Sequence, residues 1–252
     1  MPEPSLGAIV LIDVHAHWGP WFFSMDVGPV DVNIELMDRF GIDIQLVSAI
    51  EAIVYDAPVG NRSLAAQLPA DPRLRGMIVV DPRRLDEAKA DLRELLAGDG
   101  RTRWVGAKIH TEYSRTPIDS PAMQAAIELT TEYGLPTLVH TWAGNVVDLA
   151  DVADRVPDAR VIAGHMGAPG WPLVPEAASR SDRIWFEPCW SAPDANRIRW
   201  ILDQLGPSRL MFGTDATLID PSVAIGAFEA ANLTPTEHEA IMWQNATTLF
   251  TL

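Results

Sequence analysis

The 252-residue sequence predicts an α/β protein, a single (β/α)8 TIM-type barrel spanning residues 1–252 and ending in a C-terminal helix. Three observations carry this expectation. Eight short runs rich in apolar and β-branched residues each end in a polar or small residue. Their ends recur about every 23 to 35 residues, roughly the length of one βα unit. The chain length matches one eight-stranded barrel, the most economical closure of parallel strands joined by crossover helices.

The runs fall at residues 9–15, 44–50, 75–80, 104–110, 136–140, 161–165, 184–188 and 210–214, with helix-like stretches between them. Two helix starts are written in capping chemistry. Asp119 or Ser120 precedes Pro121, and apolar Met123, Ile127 and Leu129 lead to a stop at Gly134. Thr234-Pro235-Thr236-Glu237 offers an N-cap, a proline in the first turn and a glutamate that closes a capping box, so a final helix is expected through about Trp243. The densest loop signals, at residues 19–29, 111–121 and 167–175, follow strand ends that carry histidines. In a barrel these loops gather at the C-terminal face, where barrel enzymes place their active sites. No low-complexity tract or flexible linker divides the chain.

Hydrophobic residues make up 48% of the chain and charged residues 21%, which excludes a disordered polymer. The formal charge of -15 repels phosphate backbones and anionic lipid surfaces, so a small-molecule substrate is expected and neither nucleic acid nor membrane is. A homo-oligomer is compatible with the composition. Residues 1–12 lack the basic and long apolar segments of a targeting signal, and no apolar run reaches the roughly 20 residues of a membrane span. The lone Cys189 excludes an intramolecular disulfide and fits a reducing, cytoplasmic setting.

Chemistry concentrates at the strand ends. His15 and His17 lie two residues apart, so in an extended strand both imidazoles share a face. His140, His165 and Asp215 stand at or just past the ends of runs five, six and eight. Neutral imidazoles and a carboxylate on one barrel rim suit a divalent metal such as zinc, with a position left for water. His238 is the exception, an ordinary surface residue of the last helix.

The strings Leu11-Ile12-Asp13-Val14-His15-Ala16-His17, Leu138-Val139-His140-Thr141, Ile162-Ala163-Gly164-His165-Met166-Gly167 and Leu210-Met211-Phe212-Gly213-Thr214-Asp215 resemble the metal-binding signatures of the amidohydrolase superfamily. The nearest likeness is to its amidohydrolase-related branch, which includes aminocarboxymuconate semialdehyde decarboxylase. Gln244-Asn245-Ala246 is similar to that branch's closing Gly-Asn-Ala. The resemblance implies that His15, His17, His140 and Asp215 hold one Zn2+, and that Asp215 and His165 act on water and substrate. His165 would orient or deprotonate the water or stabilise charge developing on substrate. The implied activity is hydrolysis of a carboxylic ester, lactone or amide. The same ligand set serves a non-oxidative decarboxylase of a small carboxylic acid, and a third reading is a metal-stabilised barrel that binds a small molecule without turning it over.

Five further residues are expected near substrate. Lys108 and His110 share a face at the end of run four. Some family members carry a carboxylated lysine there between two metals. A solvated or ion-paired Lys108 pointing at substrate is favoured here, because the resembling branch is usually mononuclear. His110 is open between substrate contact and a structural hydrogen bond. Glu187 and Cys189 fall on one side of run seven; Glu187 is a candidate pocket residue and Cys189 a buried small hydrophobe. Trp18, Trp21, Trp142, Trp171 and Trp190 lie in strand-end loops, and Trp18 and Trp142 are taken as pocket walls for a planar or apolar substrate.

Overall fold

The computed structural model describes residues 10–25, 27–192 and 194–252. Parts of three sequence expectations therefore lie outside the described residues: the start of run one, most of the segment read for a targeting signal, and one position in the loop at 19–29. Among the described residues, seven parallel strands form one sheet in sequential order, each paired with the next. They are β1 (Ile12–Trp18), β2 (Ile44–Ala49), β3 (Leu74–Val79), β4 (Trp104–Ile109), β5 (Thr137–His140), β6 (Val161–Gly164) and β7 (Ile184–Glu187). Helices connect the strands and follow the last of them. These include α1 (Val30–Phe40), α2 (Ile50–Val54), α3 (Ala57–Ala65), α4 (Leu85–Leu95), α5 (Thr111–Ser114), α6 (Pro121–Glu132), α7 (Asn145–Arg155), α8 (Val174–Arg180), α9 (Arg197–Leu205) and α10 (Ser222–Ala230).

The eighth run closes the sheet without being a regular strand. It bridges β7 through Leu210 and Phe186, and β1 through Ala216 and Ala16. The Phe212 N–H is donated to the Ile241 carbonyl of the C-terminal helix, and Asp215 turns into the left-handed region at φ 59°. Backbone groups used in this way cannot extend a ladder.

Alternation sorts the side chains into two layers. Ile12, Val14, Leu46, Met77, Val105, Leu138, Ile162 and Met211 form one buried cluster inside the barrel, joined by Ala246, Leu249 and Phe250 from the C-terminus. A larger cluster lies between sheet and helices. At about 25 cal/mol per Å2 of apolar area, burial of these two layers is the main stabilising term.

The caps form as expected. The Ser120 side chain accepts the Met123 N–H at the start of α6, and the Thr234–Glu237 capping box opens α11 (Pro235–Glu239). The final helix runs further than expected, through a π-turn at Ala240–Gln244 into α12 (Asn245–Leu249). Apolar Ala246, Leu249 and Phe250 continue its buried face onto the bottom of the barrel. Among the described residues no helix is long and apolar enough to cross a membrane.

Candidate active site

The strand ends converge as the sequence spacing predicts. A cavity of about 400 Å3 is lined by His17, Lys108, His110, His140, His165 and Asp215, with Trp21, Tyr113 and Trp142 among its apolar walls. His15 lies just beneath, 1% exposed. A register shift between Asp13 and Ala16 on β1 explains how it gets there. Val14 packs inside the barrel, yet the adjacent His15 also points inward and reaches Lys108 on β4 and Glu187 on β7. A β-bulge places two consecutive residues on one side, which strict alternation forbids.

His15 Nδ1 lies 2.6 Å from Glu187 Oε2, and its Nε2 lies 2.7 Å from Lys108 Nζ and 3.7 Å from Asp215 Oδ1. A carboxyl oxygen that also receives Cys189 and His165 donors takes the His15 Nδ1–H, leaving a lone pair on Nε2. His17 is arranged in parallel. Its Nδ1 meets Ser48 Oγ at 2.9 Å, and its Nε2 stands 3.0 Å from Asp215 Oδ1. The Ser48 hydroxyl also reaches the Ala16 carbonyl, and its hold on His17 Nδ1 leaves Nε2 to face Asp215. His17 Nε2 and Asp215 Oδ1 thus meet at 3.0 Å, within hydrogen-bond reach and close enough to be neighbouring ligand atoms of one ion.

One ligand atom each from His15, His17 and Asp215 lies within 4.8 Å of the other two. The outer nitrogens of both histidines are held by protein partners, the usual way a tautomer is fixed for metal binding. The donor set therefore fits a divalent metal.

Burial holds the imidazoles of His15, His17, His110 and His140 below the ordinary histidine range, so they are neutral. Burial also pulls Lys108 down to about 8. For Asp215 burial works upward, but contacts led by the hydrogen bond to His17 outweigh it and hold the carboxyl below the usual range.

His140 shares the cavity without joining the compact ligand group. Its ring stacks on His110 at 4.0 Å between centroids, and both rings have a buried Nδ1 with no partner among the described residues. His165 sits with φ 65° just past β6. Its Nδ1 lies 3.0 Å from the Cys189 carbonyl, which can only accept, so Nδ1 carries a hydrogen and anchors the ring.

Other expectations are corrected in detail. Lys108 is not solvated; it is 1% exposed and aimed at His15. Glu187 does not line the cavity, since its carboxyl group is consumed by His15 and the Cys189 backbone beneath it. Trp18 is absent from the cavity wall because β1 continues through it and alternation turns it outward into the layer between sheet and helices. Trp142 does line the cavity, and Trp21 takes the place expected of Trp18. Trp171 and Trp190 stand outside it, against Trp200 and Trp142. His238 is half-buried and lines a separate apolar cavity between α1 and α10.

Sequence reasoning missed a buried network that ties together the segments carrying His15, His17 and Asp215. Asp13 Oδ2 accepts the Thr214 hydroxyl at 2.6 Å and the Gln45 amide at 3.0 Å, while Oδ1 accepts the backbone N–H groups of His15 and Thr214. Asn33 of α1 donates to Gln45 Oε1 and to the His17 carbonyl. Burial pushes the Asp13 carboxyl up to about 7 against these bonds. A carboxylate inside an otherwise apolar strand, two residues before the histidine pair, was the available signal.

A family profile described as Amidohydrolase matches residues 12–252. Solved structures with the same fold include 5-carboxyvanillate decarboxylase from Sphingomonas paucimobilis, at TM-score 0.75 and 16% identity, covering 97% of this chain and 100% of that one. Dihydroxybenzoic acid decarboxylase from Polaromonas sp. JS666, solved with bound manganese and an inhibitor, matches at TM-score 0.74 and 18% identity over 96% of this chain and 97% of that one. A Pseudomonas putida protein assigned as a 2-pyrone-4,6-dicarboxylic acid hydrolase matches at TM-score 0.72 and 16% identity over 96% and 97%. No curated protein matches the sequence.

Proposed function

This chain belongs to the amidohydrolase family, and on that premise we propose that it is a metal-dependent hydrolase of a carboxylic ester, lactone or amide. The observation that carries the reading is the convergence of ligand atoms of His15, His17 and Asp215 within 4.8 Å of one another, at a cavity that His165 also lines. His15, His17 and Asp215 would hold the ion, with His140 from the same cavity as the fourth ligand. The nitrogen-rich set favours zinc. The chemistry such an ion supplies when bound is Lewis-acid polarisation of a carbonyl and hydroxide near neutral pH.

The protein's own groups do the rest. Asp215, anionic at neutral pH, accepts a proton from water and returns it to the leaving group. His165, with its Nδ1–H fixed on the Cys189 carbonyl, presents Nε2 to orient that water and, once protonated, to stabilise charge on the carbonyl oxygen. Glu187 and Ser48 fix the tautomers of His15 and His17. Asp215 and His165 are equipment that a purely structural metal site does not require, which argues against a non-catalytic barrel.

Decarboxylation is the second reading, favoured by the likeness to two solved decarboxylases. His165, anchored through Nδ1 in the same cavity, is placed where water must be oriented, which supports hydrolysis. The test is to reconstitute the protein with zinc or manganese and follow acid release and CO2 release in parallel, from esters and lactones and from aromatic carboxylates. Acid release without CO2 is expected, and the reverse would establish the lyase. Activity that survives both His165→Asn and Asp215→Asn with metal still bound would overturn the assigned roles.

A further inference from the structure

The charge of the cavity narrows the substrate. Among the described residues that line it, Lys108 is the only fixed cation, and no arginine is among them. Lys108 is buried at the base beside the metal-ligand candidates, with Nζ 2.7 Å from His15 Nε2. The acids Glu112 and Asp215 also line the cavity, and the chain as a whole carries a formal charge of -15. Arg83 borders a small adjoining cavity beside His110 and Tyr113, but its guanidinium is clamped on both oxygens of Asp81.

The remaining surface is apolar and continues outward. Trp21, Tyr113, Trp142 and Leu218 line the wall. Phe22, 65% exposed, packs edge-on against Tyr113 and extends the aromatic surface past the mouth. A carboxylate placed among these groups loses hydration and finds no cation in return, which is costly even in a partly open site. An aromatic or cyclic apolar body gains area burial and ring contacts there.

We infer that the substrate is a planar, apolar molecule of one ring or two small ones that carries no charged group besides the carbonyl or carboxyl that reacts. The inference rests on this cavity being the reacting site proposed above, but it holds for either reaction, since both leave the non-reacting end of the substrate against the same wall. A volume of about 400 Å3 accommodates such a body.

The test uses matched esters, methyl benzoate and its 4-carboxylate counterpart monomethyl terephthalate, with the metal-reconstituted protein. Binding is read from quenching of tryptophan fluorescence, with Trp142→Phe to place the signal, and turnover is measured separately. The added carboxylate is expected to weaken binding at least tenfold. Leu218→Arg, a substitution at the partly exposed rim, is expected to narrow that gap by supplying the missing cation. Equal or tighter binding of the carboxylated ester overturns the inference, as does failure of both esters to bind. Preference for methyl benzoate in binding without turnover of either ester removes the hydrolytic reading and leaves this one standing. Turnover of both with equal affinity does the opposite.

Discussion

Replacing Asp13 with asparagine removes an acceptor from a network in which every neighbour donates. Oδ2 receives the Thr214 hydroxyl and the Gln45 amide, and Oδ1 receives two backbone N–H groups. An asparagine oxygen can keep the backbone pair, but its NH2 then faces the other two donors. Gln45 cannot simply flip, because its own Oε1 already accepts from Asn33, which also holds the His17 carbonyl. A buried donor left unpaired costs about 1–3 kcal/mol. Two of them, relieved in part by rotation of the Thr214 hydroxyl, give an expected loss of about 2–4 kcal/mol. The network also sets the approach of β1 to the eighth run, and so the spacing of His15 and His17 from Asp215. Loss of an outer partner of metal ligands typically weakens affinity by about 10–100-fold. Urea unfolding of the metal-free protein measures the first effect, and competition against a chelating dye measures the second. A destabilised Asp13→Asn protein that binds zinc as tightly as wild type would refute the claim that this network aims the ligands.

Gly213 sits where an added Cβ would come 2.6 Å from Glu187 Cγ and Cδ, so Gly213→Ala should push Glu187 off His15 and lower metal affinity by about 10–100-fold, read by the same dye titration. Removal of metal by a chelator should abolish turnover and added zinc or manganese should restore it; full activity in metal-free protein would contradict the mechanism. Glu237, bonded to Arg199 and the Thr234 N–H, has its carboxyl lowered from 4.5 to about 2, so the unfolded chain takes up this proton first on acidification. Its stabilising contribution is complete above pH 4.5 and is lost as pH falls toward 2. The urea midpoint of wild type should therefore fall more between pH 6 and pH 3 than that of Glu237→Gln, and parallel curves would refute the assignment.

What the sequence made legible is what simple periodicity encodes. Strand runs, crossover helices and the positions of His140, His165 and Asp215 at strand ends follow from two-residue alternation and from a unit length common to every βα repeat. What it hid depends on departures from that period. The bulge in β1 puts Val14 and His15 on the same side, and no composition signal marks it. The eighth run looks like any strand in sequence, but its Phe212 N–H is diverted to the Ile241 carbonyl of the C-terminal helix. Trp18 was placed in a loop because nothing local shows that β1 continues through it. For Glu187 and Cys189 the shared side was correct, yet whether that side faced the cavity or the floor beneath His15 was set by strands far away in the chain.

The backbone at the cavity adds a physical reason for so much buried polarity. His165, Met166 and Ala168 after β6, Ala143 after β5, and Asp215 after the eighth run all have positive φ. For residues with a Cβ such conformations are unfavourable, of order 1–3 kcal/mol each, and persist only where surrounding contacts over-determine them. The contacts are present: the Ala143 N–H is donated to the Gly167 carbonyl, the Gly167 N–H to Thr141 Oγ1, and the Asp215 N–H to the His15 carbonyl. These bonds join each strained segment to a neighbouring strand end. It follows that Thr141→Val, which removes the hydroxyl accepting the Gly167 N–H while nearly preserving volume, should disturb the turn that carries His165 more than it disturbs the ligand pair on β1. The expected result is a fall in kcat of tenfold or more with zinc affinity within about threefold of wild type, because catalytic positioning is sensitive to displacements near 1 Å. Equal losses in both would mean that the strand ends move as one unit and that the turn after β6 has no separate role.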